Sequence, residues 1–219
     1  MKNQLEIRLF IAINFSADTK NRLIALSEEI RAQAERGRFS LPENLHLTLA
    51  FLGGCDTRQF AAAKAAMDMT PFEPFDIVID RIGCFKRKQR GDRCQQDNSY
   101  QRGNRYQRGD RYQRSNSYQQ DNSYQQGNSN VSAIWWAGVQ QNKDLQDLQC
   151  RLTDRLVAAG FSLDKRKYDP HITLGREVVT DITPRPIEPF GEKVSGIDLM
   201  KSEHINGKLT YTTCWRREI

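Results

Sequence analysis

Three histidines occur in the 219 residues, and two of them open the same short pattern, His46-Leu47-Thr48-Leu49 and His171-Ile172-Thr173-Leu174. An imidazole with an ordinary pKa of about 6.5 can take or give a proton near neutral pH, so a pair can do both in one reaction. Each tetrad alternates polar and apolar residues with a period of two, the pattern of a half-buried strand. On such a strand His46 and Thr48 share one face, and Leu45, Leu47 and Leu49 the other; His171 and Thr173 oppose Ile172 and Leu174 in the same way. Two imidazoles and two hydroxyls on polar faces suit acid–base chemistry on a phosphate, with the hydroxyls bonding its oxygens. A metal site would want a third ligand. His204, the remaining histidine, stands beside the Asn206-Gly207 turn and reads as a solvated loop residue.

The elements that must position these residues can be read in order. Residues 7–15 form a mostly buried strand rich in β-branched and aromatic side chains. Ser16 or Asp18 caps a helix expected to run to about Arg36, where Gly37 closes it. Pro42-Glu43-Asn44 turns into the first histidine strand, which is expected to stop at Gly53-Gly54. Asp56 or Thr57 then caps an Ala-rich helix to about Asp68, and residues 75–82 alternate as another strand. Residues 131–139 form a strand in which Trp135 and Trp136 face opposite ways. A helix from about Asn142 to Ala159 follows, stopped by Gly160. Phe161-Ser162-Leu163 and the basic turn Lys165-Arg166-Lys167, read as solvated, lead to Pro170 and the second histidine strand. A proline-rich loop (Pro184, Pro186, Pro189) then precedes a strand around Val194–Met200, and Asn206-Gly207 turns a final hairpin. Phe51 is expected in the core.

The two halves repeat this order, and the spacing from Phe10 to His46, 36 residues, recurs from Trp135 to His171. The chain therefore reads as one pseudo-twofold α+β domain, 1–219, with lobes at roughly 1–85 and 131–219 and the site in the cleft between them. Residues 86–130 interrupt it with hexads marked by Tyr100, Tyr106, Tyr112, Tyr118 and Tyr124. This stretch has almost no aliphatic residue to offset the entropy of ordering it, so it reads as a disordered insertion. Its Arg, Gly and Tyr could make a sequence-tolerant RNA-binding tail, but a tolerated repeat expansion is favoured.

The net charge of +6 belongs to that insertion: residues 86–130 hold ten Lys/Arg and four Asp/Glu, which leaves 23 of each sign elsewhere. The folded part is not a globally basic protein, so any anion must be held by local clusters. Five scattered cysteines without a Cys-x-x-Cys pair argue against a disulfide framework or a zinc site. No stretch approaches the roughly 18 apolar residues of a membrane span. A cytoplasmic protein with no membrane partner is expected.

The flanking residues narrow the reading further. Arg8-Leu9-Phe10-Ile11-Ala12-Ile13, Pro42-Glu43-Asn44-Leu45-His46-Leu47-Thr48-Leu49 with Phe51-Leu52-Gly53, Trp136-Ala137-Gly138-Val139, and Pro170-His171-Ile172-Thr173-Leu174-Gly175-Arg176 together resemble the two-histidine phosphoesterase superfamily, in its RNA 2',3'-cyclic phosphodiesterase or 2'-5' RNA ligase-like branch. The resemblance covers about 1–85 and 131–219. It implies a bilobal α+β fold with two antiparallel sheets lining a central cleft, helices outside, and no metal or other cofactor. It implies His46 as proton donor to the leaving 3'-oxygen and His171 as proton acceptor from water. Thr48 and Thr173 would bind phosphate oxygens, and Arg176 is expected on the same strand face as His171, towards the phosphate. The partner implied is RNA with a 2',3'-cyclic phosphate end, acted on by a monomer. Other outcomes compatible with the same residues are 2'-5' ligation, hydrolysis of small cyclic nucleotides, and a module that grips RNA ends without turnover.

Overall fold

The computed structural model describes residues 6–86 and 132–218, so the hexads of the insertion lie outside the described residues. Strand β1 (Ile7–Asn14) is buried from Leu9 to Ile13, as its unbroken apolar run requires. It sits second in a four-stranded antiparallel sheet ordered β3-β1-β8-β9, where β3 is His46–Cys55, β8 is Gly196–Ile205 and β9 is Lys208–Glu218. A five-stranded antiparallel sheet follows the order β2-β6-β5-β4-β7, with β2 at Ala34–Phe39, β4 at Phe75–Lys86, β5 at Ala133–Val139, β6 at His171–Thr180 and β7 at Arg185–Val194. Each sheet draws strands from both halves of the chain, so the two lobes are not the sequence segments 1–85 and 131–219 expected for them. The expected bilobal α+β architecture, two antiparallel sheets about a cleft, is present.

Among the described residues three α-helices cover the outside, each started by a polar cap. Ser16 opens α1 (Ala17–Ala32), Asn142 opens α3 (Lys143–Ala158), and Asp56 and Gln59 form a reciprocal capping box on α2 (Thr57–Asp68). Helix α3 turns Leu145, Leu148, Leu152 and Leu156 inward at helical spacing, and all four are fully buried. They join Ile11, Leu47, Ile79, Trp135, Ile172 and Leu199 in one contiguous core between helices and sheets.

The structure corrects several sequence expectations. Helix α1 ends at Ala32 rather than near Arg36, and residues 34–39 become the edge strand β2 on β6. Gly37 is therefore no helix stop: a Cβ there would meet the Val178 side chain at 2.8 Å, so glycine permits close strand approach. The proline-rich stretch is strand β7, which pairs only with β4; an edge strand tolerates proline because one row of N–H groups faces outward. Strand β3 runs past Gly53-Gly54 to Cys55, and exposed His204 lies on β8 rather than in the loop. The turn itself is as expected, with Asn206 and Gly207 at φ 50° and 78°, the left-handed pair of a tight hairpin.

Candidate active site

His46 and His171 are each the first residue of their strands. In both, Nδ1 is 2.7 Å from the carbonyl two residues upstream, Asn44 for His46 and Asp169 for His171. A carbonyl only accepts, so Nδ1 carries the hydrogen and Nε2 is the nitrogen left for chemistry. Nε2 of His46 is 3.1 Å from Thr48 Oγ1, which donates to it when the ring is neutral. The Asn44 carbonyl is itself fixed, because the Asn44 side chain donates to Leu209 O at 2.8 Å and accepts from Tyr211 N at 3.2 Å. Strand β9 thus orients the His46 ring through one asparagine.

Aromatic rings wall both imidazoles. Phe10 lies 4.8 Å from the His46 ring and the Tyr211 ring meets it edge-on at 5.2 Å. Phe85 meets His171 edge-on at 5.1 Å, with Trp136 at 6.2 Å. Trp136 lies flat across glycines: a Cβ at Gly83 would come within 2.3 Å of the indole, and one at Gly138 within 2.8 Å of both the indole and Arg81 Nε. Gly138 is the cross-strand partner of His171, so Arg81 reaches the same neighbourhood. Trp135 points the other way into the core, as the alternation predicted.

The environment of His46 is unusual. Burial pushes its pKa down to about 4, partly offset by the Asn44 carbonyl and reinforced by the positive charges of Lys20 and Arg176. His46 therefore rests neutral at pH 7. The charge of Arg176 reaches His46 for a reason the regular pleat does not supply. Arg176 is five residues from His171, an odd separation, so the regular pleat sets it on the opposite face and parity does not supply the same-face position expected from the sequence. Thr173 pairs with Trp136 and Gly175 with Trp135, so β6 carries one extra residue at Leu174, and this bulge turns Arg176 to the cleft side. Strand β3 has the same device: Thr48 pairs with Ala12 and Ala50 with Ile11, leaving Leu49 as the extra residue. Both strands accordingly bury two residues in succession, Leu49-Ala50 and Leu174-Gly175, and then expose Phe51 and Arg176. Phe51 is 68% exposed, which overturns its expected place in the core.

The halves also brace each other's tetrads. Tyr168 Oη donates to Thr48 O at 3.1 Å, and Ser40 donates to Thr173 O through Oγ and to Leu174 O through N–H, both at 2.8 Å. Burial pushes the Tyr168 phenol well above its ordinary pKa, so it remains a donor. Sequence reasoning missed Tyr168, Ser40, Tyr211, Phe85 and Arg81; only the match of Phe39-Ser40-Leu41 to Phe161-Ser162-Leu163, each ahead of a histidine strand, hinted at Ser40. The Lys165–Lys167 turn is exposed as expected, with Arg166 paired to Asp164. Among the described residues, no three His, Cys, Asp or Glu side chains converge as metal ligands. Nor is any described helix long and apolar enough to cross a membrane.

A fold of two facing antiparallel sheets with a histidine strand in each defines a class. Residues 13–93 match the family model "LigT like Phosphoesterase". It is 24% identical over 193 residues to the RNA 2',3'-cyclic phosphodiesterase of Thermotoga maritima, covering 83% of this chain and 81% of the relative. The Escherichia coli protein of that name is 24% identical over 207 residues, with 94% and 92% covered. Among solved structures, Escherichia coli LigT complexed with 3'-AMP superposes with a TM-score of 0.68 at 22% identity, over 98% of both chains. A Thermus thermophilus protein superposes with a TM-score of 0.67 at 18% identity, over 96% of this chain and 97% of its own.

Proposed function

We propose that the protein is a metal-independent phosphodiesterase that opens 2',3'-cyclic phosphates at RNA ends to give 2'-phosphomonoesters. The observation that carries this reading is the matched pair of imidazoles, each fixed as the Nδ1–H tautomer by a carbonyl and each with a threonine hydroxyl two residues on. The substrate class is supported by the relatives named RNA 2',3'-cyclic phosphodiesterase. In the proposed reaction Nε2 of His171 takes a proton from water as its oxygen attacks phosphorus. The bond from phosphorus to O3' breaks, and O3' takes the proton carried by Nε2 of His46. Thr48 and Thr173 bond the non-bridging oxygens, and Arg176 offsets the charge that grows on them. Because His46 rests neutral, it must load its proton as the anionic phosphate arrives and raises its proton affinity. The Thr48 hydroxyl then turns from His46 to a phosphate oxygen.

A second reading follows from that same depressed pKa: a neutral His46 is already competent as a base. With the substrate turned so that O2' faces His171, exchanged roles would expel O2' and yield a 3'-phosphomonoester. An oligonucleotide 2',3'-cyclic phosphate incubated with the protein and EDTA separates the readings. A 2'-monophosphate supports His46 as donor, a 3'-monophosphate supports the exchange, and binding without turnover would contradict both.

A further inference from the structure

We infer that Arg36 and Arg38 of β2, continuing into Arg176 of β6, form a phosphate track for the RNA backbone immediately 5' of the reacting nucleotide. The inference rests on the reading of the site as an RNA-end phosphodiesterase and adds a surface for the rest of the strand. Its basis is the faces of two paired strands. A Cβ at Gly37 or at Gly175 would meet the Val178 side chain and the Phe39 ring within 2.8–3.3 Å, so these positions share the face packed on the core. The pleat then turns Arg36 and Arg38 to the other face, where the β6 bulge also turns Arg176. Arg38 and Arg176 are direct cross-strand partners, a like-charge juxtaposition that the exposed Glu177 carboxylate on Arg38 relieves in part and that a phosphate could relieve in its place.

The track opens outward from the site. Strand β2 is the edge of its sheet and pairs with β6 alone, and Arg36 and Arg38 on it are both exposed. The chain leaves β2 at Phe39 and at once reaches Ser40, which holds the carbonyls of Thr173 and Leu174. Arg176 acts on His46 electrostatically, so the stripe begins where the reacting phosphate is read to sit. Alternate residues on a strand are about 6.6 Å apart, which sets Arg36 one step beyond Arg38 along the same face. The acidic groups nearby are Glu35, exposed on β2, and Glu177, which pairs with Arg38 at 2.8 Å. That pair is exposed to water on both sides, with 74% and 47% of the side chains accessible, and such contacts exchange readily for a phosphate. Outside the insertion the charges of the chain cancel, so a local stripe is what a polyanion would find.

The test compares substrates of two lengths with the full-length protein and its Arg36→Gln/Arg38→Gln double variant. The substrates are a nucleoside 2',3'-cyclic phosphate and a tetranucleotide ending in the same group. On the tetranucleotide, the variant's plot of log kcat/KM against log salt should flatten by about 1.4 for two lost contacts to single-stranded phosphates, about sevenfold less change between 50 and 200 mM. The mononucleotide should be opened equally by both proteins. Equal losses on both substrates, or no loss on either, would overturn the track and leave the arginines as charges guarding a sheet edge. If wild type opens neither substrate, the hydrolase reading fails instead; salt-dependent binding of a fluorescent tetranucleotide to the two proteins then decides the track alone.

Discussion

The two imidazoles occupy matching backbone positions but carry unequal surroundings. Nε2 of His46 has the Thr48 hydroxyl at 3.1 Å, and burial with two cations nearby holds its pKa near 4. A group so depressed in the free protein leaves a signature in the pH–rate profile. The kcat/KM profile reports the free enzyme and kcat the bound complex. Below its pKa His46 is charged even in the empty site. The limb of kcat/KM that reports His46 is therefore expected near pH 4, and the corresponding limb of kcat at higher pH, because bound phosphate favours the imidazolium. Coincident limbs near pH 6.5 in both profiles would contradict this account. The tetrads themselves were legible in the sequence because residue type and period-two alternation specify both chemistry and face. The inequality was not, since it arises from burial and from Lys20 and Arg176, which only the folded chain brings near His46.

At the scale of elements, capped helices and the histidine strands were legible, and the misses share a cause. Ala34–Phe39 has no apolar alternation to mark it as a strand; pairing with β6 decides its conformation, and Gly37 is there for clearance from Val178. The bulges at Leu49 and Leu174 are equally silent, yet they decide that Phe51 and Arg176 join the polar face. The cross-braces belong to this scale as well. Tyr168→Phe removes the donor to Thr48 O while keeping the ring in place, so stability should fall by only about 0.5–1.5 kcal/mol. Because the lost bond relates one tetrad to the other, kcat should drop about tenfold, a modest misplacement by the standards of positioned groups, with KM little changed. Steady-state kinetics beside a thermal melt checks this. An unaltered kcat with a lowered melting temperature would reduce Tyr168 to a packing residue.

For the whole molecule, the recurring 36-residue spacing announced the pseudo-twofold arrangement, whereas the exchange of strands between sheets was not visible in chain order. Placing β8 and β9 beside β1 is what brings Tyr211 and the Asn44 clamp to His46. The insertion joins the described halves where β4 ends and β5 begins, and loop closure costs little more as length grows. Deleting residues 87–130 should accordingly leave turnover of a nucleoside 2',3'-cyclic phosphate within about twofold, since that loop-length term alone is worth only about 0.6 kcal/mol per doubling. A large fall in kcat would give the hexads a part in the chemistry. The central claim, that two histidines act as a proton-transferring pair, is tested most directly by the ring-opening rate of His46→Ala and His171→Ala with EDTA present. Each variant is predicted to remain folded and to lose about 10²–10⁴-fold in kcat, the worth of one general acid or base. Near-normal turnover in either folded variant would contradict the account.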